Sequence, residues 1–180
     1  MIQLFTELQE KKNVRSNLSA LRASLKEATE EQKAQAIEFV RGHEDLVFGF
    51  LQEEDAKTRK NAALLLGDLA VQNALQPLWK AYTREQTLFV KSAYLEAMKA
   101  LHAEEILSQL KDRLAELEGE PVTEENRKHR EAELRALRAI LIQYEGIDTH
   151  HFDIKQKSNH VLLVTNRNHR GILENQTGGK

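Results

Sequence analysis

Apolar positions recur along this chain at the three-to-four-residue spacing of a helix face, in blocks divided by short polar breaks. Leu4, Phe5 and Leu8 predict a short opening helix. Asn13 is a candidate cap for a second helix striped by Val14, Leu18, Leu21 and Leu25. Thr29 and Gln32 stand at capping-box spacing ahead of Ala36, Ile37, Phe39 and Val40, and Gly42 is expected to close that helix in left-handed geometry. Leu46, Val47, Phe48, Phe50 and Leu51 form a short, nearly all-apolar element that should be deeply buried. Asp55 caps the next helix. Asn73 is the candidate cap after that, which places Pro77 at the end of a first turn, where its missing N–H matters least. Beyond Gly119 and Pro121, Thr123 opens a long helix to about Tyr144, with Leu134, Leu137, Ile140 and Leu141 on one face.

Within this pattern one phrase repeats. Thr58-Arg59-Lys60-Asn61-Ala62-Ala63-Leu64-Leu65-Leu66-Gly67-Asp68-Leu69 returns as Val90-Lys91-Ser92-Ala93-Tyr94-Leu95-Glu96-Ala97-Met98-Lys99-Ala100-Leu101, an offset of 90 − 58 = 32 residues. At the same offset, Ala74–Leu78 is followed by Ile106–Leu110. Val14-Arg15 opens a looser copy 58 − 14 = 44 residues earlier. Such periods mean stacked helix pairs, because one pair cannot bury its own apolar face. Gly67 inside the phrase costs about 1 kcal/mol of helix propensity against alanine, so a neighbouring helix is expected to approach closely there.

The phrase resembles the first helix of HEAT repeats, carried by Asp55-x-x-x-Arg59 and Ala62-Ala63-x-x-Leu66-Gly67, with Ala74–Leu78 similar to the second helix. Tyr94 and Lys99 depart from it where small residues are usual. The resemblance covers about 55–110 well and 13–52 loosely. It implies an all-α, armadillo-like α-solenoid over residues 1–145, of the kind used as a binding scaffold. After Gly146 the charged helical period stops. Val161-Leu162-Leu163-Val164 reads as a buried strand, Asn166–His169 as a turn and Ile172-Leu173 as the start of a helix, so 146–180 is expected to begin a small α/β unit that the chain leaves incomplete.

Composition narrows the chemistry. There is no cysteine, hence no disulfide partner and no thiolate. No run is long enough for a membrane span, and Met1–Phe5 has no secretory n-region, so a cytoplasmic chain without a membrane partner is expected. The net charge is −2, but 150–180 carries five bases and two acids, +3, leaving −2 − 3 = −5 for the rest. A basic end hints at an anionic partner. His150, His151, His160 and His169 cluster without cysteines or ligand spacing, so no metal is expected.

Candidate nucleic-acid contacts fall in two groups. Lys80, Arg84, Lys111 and Arg113 lie on second helices, which the resemblance places on the concave side. Asn166, Arg167, His169 and Arg170 surround the turn after the predicted strand, where an RNA backbone would find bases and backbone N–H groups. Arg127, Lys128, Arg130, Arg135 and Arg138 are interleaved with acids and read as a self-neutralised solvent face. Trp79 reads as core. No serine or carboxylate constellation suggests catalysis. Val161–Arg170 resembles the segment leading into the substrate-binding region of bacterial RNA methylases. That resemblance implies a non-catalytic RNA-recognition module of a methyltransferase, whose S-adenosylmethionine would bind in a domain beyond Lys180. A protein-interaction scaffold with another protein as partner, and a HEAT-like DNA glycosylase using Trp79, Tyr82 and Asp112, are the alternatives.

Overall fold

The computed structural model describes residues 1–145, which are all-α, with no strand among them. The expected strand–turn–helix of 146–180, including Asn166, Arg167, His169 and Arg170, lies outside the described residues. In chain order the helices are α1 (Ile2–Gln9), α2 (Val14–Leu25), α3 (Glu30–Gly42), α4 (Glu44–Gly49), α5 (Ala56–Asp68), α6 (Leu75–Arg84), α7 (Leu88–Ala100), α8 (Leu107–Gly119) and α9 (Arg127–Glu145). Met1–Leu141 is one compact unit; a second runs from Ile142.

The 32-residue phrase is a backbone repeat. Helices α5 and α7 begin at Ala56 and Leu88 and end at Asp68 and Ala100. The 3-10 turns Gln72–Ala74 and Glu104–Ile106 follow at the same offset, and so do the starts of α6 and α8. Even the reversal matches: Ala70 (φ 50°) and His102 (φ 53°) are both left-handed, and 102 − 70 = 32. Helix α5 packs against α2 and α7, and α7 packs also against α6. Leu18, Leu21, Leu65, Leu66, Leu78, Met98, Leu101 and Ile106 are fully buried, so both members of each repeat contribute to one apolar interior.

Gly67 meets its expected neighbour. A Cβ built there would lie 2.9 Å from the Ala97 Cα and 3.2 Å from its Cβ, so α5 and α7 touch almost backbone to backbone. Tyr94 stands where the first copy has Ala62 (94 − 32 = 62). It is fully buried, and its hydroxyl donates to the Leu51 carbonyl at 3.1 Å. Burial pushes its phenol up to about 12.

Local signals hold in part. Thr29 and Gln32 form the capping box, and Asp55 accepts from the Thr58 N–H and hydroxyl, both at 2.8 Å. Thr123 and Asn126 exchange side-chain to backbone hydrogen bonds ahead of α9, which begins four residues later than Thr123. Three expectations are corrected. Asn13 occupies the cap position of α2, but at φ 47° its side chain does not cap. Gly42 is not left-handed; it is the last residue of α3, and His43 (φ −138°) leads straight into α4. Asn73 does not cap α6, because the chain enters that helix through the turn Gln72–Ala74; Pro77 is the third residue of α6, still inside the first turn. Of the apolar element at 46–51, Val47, Phe50 and Leu51 are buried while Leu46 and Phe48 are half-buried.

Candidate nucleic-acid interface

Lys80 and Arg84, one turn apart on α6, are exposed and line a cleft of about 440 Å³. The cleft also holds Arg59 and three carboxylates, Glu53, Glu54 and Glu85. Arg59 grips Glu85 with its fork, Nε to Oε2 at 2.8 Å and a terminal nitrogen to Oε1 at 3.0 Å. Its other terminal nitrogen donates to the Glu53 and Glu54 carbonyls at 2.7 Å each. Glu85 in turn accepts from the Gln86 and Thr87 N–H groups, fixing the entry to α7. Burial pushes the Glu85 carboxyl up, but these hydrogen bonds and the Arg59 charge outweigh it and hold the group below the ordinary range. Three bases against three acids leave this cleft close to neutral.

Arg113 does not serve an open groove. Its Nε donates to Glu133 Oε1 at 3.1 Å, and a terminal nitrogen reaches Glu116 at 3.2 Å and Glu120 at 3.4 Å. Glu133, on α9, is buried and also accepts from the Tyr82 hydroxyl and from Lys91 Nζ at 3.4 Å. Lys91 Nζ lies 5.2 Å from the Tyr82 ring centroid, within cation–π range. One carboxylate therefore ties together α6, α7, α8 and α9. Burial works against its charge, yet the Tyr82 hydrogen bond and the Lys91 and Arg113 cations hold its pKa below the ordinary value. The Tyr82 phenol is pushed up, first by burial and then by Glu133. Trp79 is half-buried, its rings 5.3 Å from Tyr82. With Tyr82 only 1% exposed and bonded to Glu133, these aromatics do not present an open platform beside Asp112, as a glycosylase cleft would need. Lys111 is exposed on α8.

A second cleft, of about 560 Å³, opens on the first two turns of α2 and α5 and the start of α7. Arg15, Ser16 and Ser19 come from α2, Lys57, Lys60 and Asn61 from α5, and Phe89 from α7. Three bases line it and no carboxylate does. Asp55, the cap of α5, accepts from the Thr58 hydroxyl and N–H, and those bonds, with a smaller contribution from the Arg15 charge, hold its carboxyl below the ordinary range. Sequence reasoning named Arg15 and Lys60 only as parts of a repeated phrase and passed over Lys57 and Phe89. The available signal was their place in the first two turns of helices that the repeat stacks side by side.

On α9 two of the basic residues pair with acids and a third meets backbone carbonyls. Arg127 pairs with Glu124 at 2.6 Å and Arg138 with Glu118 at 2.8 Å, while Arg130 donates to the Leu117 and Glu118 carbonyls. Among the described residues no group of histidine and carboxylate side chains could hold a metal, and no helix is long and apolar enough to cross a membrane. Comparison with protein families, with curated proteins and with solved structures finds no match.

Proposed function

We propose that this chain is a non-catalytic RNA-binding module, a HEAT-like solenoid in which stacked helix pairs hold cations in fixed positions. The observation that carries the reading is the α2–α5–α7 cleft, lined by Arg15, Lys57 and Lys60 with no carboxylate among its lining residues. Cations that share their cleft with no carboxylate can hold a polyanion; Ser19 and Asn61 add polar groups suited to phosphate or sugar oxygens. The backbone repeat supports the solenoid, since α5 and α7 have the same length, the same exit and the same following turn. Lys80 and Arg84 form a weaker, charge-balanced contact. The exposed large apolar side chains Ile2, Phe89 and Val122 lie on separate elements, which favours the polyanion over a protein scaffold.

Val161–Arg170 supports a place for the module at the head of an S-adenosylmethionine-dependent RNA methyltransferase. In that arrangement Asn166, Arg167, His169 and Arg170 lead the bound RNA toward a methylase domain, which would bind the cofactor. This part rests on the sequence alone.

Fluorescent RNA titrated across a salt series tests the reading. Binding should weaken with salt, with a log–log slope of about −2 if three phosphates of a single strand are neutralised. Combined Arg15→Ala, Lys57→Ala and Lys60→Ala substitution should abolish most of it, and Lys80→Ala/Arg84→Ala should cost less. Salt-insensitive binding, or none at low salt, overturns the reading.

A further inference from the structure

Phe89 is 47% exposed and forms one wall of the cationic cleft. A large apolar ring beside three bases is costly to leave in water, and the repeat shows it is not dictated by the scaffold. Its counterpart in the preceding repeat is Lys57 (89 − 32 = 57), lining the same cleft. The frame therefore accepts a long polar side chain at this position, and α7 carries a ring instead. The ring cannot satisfy phosphate. It can stack on a base, since every base has a π-face, provided the base is unpaired. In a duplex the bases are stacked on one another and their faces are closed to a side chain.

We propose that the cleft selects single-stranded over double-stranded RNA, with an unpaired base stacked on Phe89 while Arg15, Lys57 and Lys60 hold the neighbouring phosphates. This rests on the RNA-binding reading and adds the strandedness of the ligand and the residue that sets it. Ser19 and Asn61 line the same cleft and offer polar groups to the ribose hydroxyls of the bound strand.

The test compares the full chain with Phe89→Ala and Phe89→Trp, against a fluorescent unstructured oligoribonucleotide and the same strand annealed to its complement. The wild type should prefer the single strand. Phe89→Ala should weaken single-strand binding about tenfold and leave duplex binding unchanged. Phe89→Trp should restore it, and its added tryptophan emission should be quenched by the single strand. Circular dichroism on each variant checks that the helices remain. Equal affinity for both forms, or single-strand affinity unmoved by Phe89→Ala in a folded variant, overturns the stacking role. If binding then still falls on removing Arg15, Lys57 and Lys60, the broader RNA reading stands. Absence of RNA binding in the wild type removes both.

Discussion

Gly67 and Ala97 face each other across the α5–α7 contact so closely that a methyl group on the glycine would lie 2.9 Å from the Ala97 Cα. The obstacle is backbone, so no side chain can swing away. Gly67→Ala gains about 1 kcal/mol of helix propensity but forces the two helices apart, which costs about 1–3 kcal/mol in a packed interior. The expected outcome is a net loss of stability by urea denaturation. Ala97→Gly removes the 3.2 Å Cβ contact but leaves the Cα, so it should restore only part of the loss.

Arg59 makes four hydrogen bonds from a planar fork to Glu85, Glu53 and Glu54. A lysine carries the same charge but has no such geometry. Arg59→Lys should therefore destabilise the protein by about 2 kcal/mol, the scale of charge-assisted hydrogen bonds to buried partners. Thermal unfolding would measure it. An unchanged midpoint would mean that charge alone matters here.

Glu133→Ala removes the shared acceptor of Tyr82, Lys91 and Arg113. Lys91 and the buried Tyr82 hydroxyl then lose this partner, while Arg113 keeps Glu116 and Glu120, and a loss of about 2–3 kcal/mol is expected. Tyr82→Phe leaves the carboxylate with both cations and should cost only about 1 kcal/mol. Denaturant midpoints for the two variants should rank in that order.

Acid should weaken the fold through Glu133 and Glu85. Both carboxyls sit below the unfolded value of 4.5, so their stabilisation is complete above that pH and fades as pH falls through their folded values. The thermal midpoint should stay level from pH 7 to about 5 and drop below that. Glu133→Gln should lower the neutral midpoint and flatten the acid slope. A Glu133→Gln slope equal to the wild type would place the acid sensitivity elsewhere.

Ala70 and His102 hold left-handed backbone without being glycine. That conformation costs an L-residue about 1–2 kcal/mol, part of which glycine returns as greater unfolded-state freedom. Ala70→Gly and His102→Gly should each raise stability by some tenths of a kcal/mol to about 1 kcal/mol, measured by chemical denaturation.

What the sequence revealed was local or periodic. The Thr29 box, the Asp55 cap and the Gly67 contact depend on neighbours within a turn or on the repeat, and all three are present. Asn73 and Gly42 misled because turn-forming residues only permit a geometry; the carbonyl of Val71, accepting from Ala74, starts the turn before α6 instead. The bond between Arg113 and Glu133 joins residues twenty apart on different helices, and no spacing rule brings them together. The Arg15–Lys57–Phe89 cleft was hidden for the same reason: it exists only once α2, α5 and α7 lie alongside one another.

Tyr94 gives the two repeats unequal standing. From α7 its hydroxyl reaches past the α5 repeat to the Leu51 carbonyl, bonding to a carbonyl that precedes both copies. Splicing an additional 32-residue copy between them would carry Tyr94 away from that acceptor and bury its hydroxyl unmet. The two copies are therefore not interchangeable, and duplicating one of them would cost the fold this hydrogen bond.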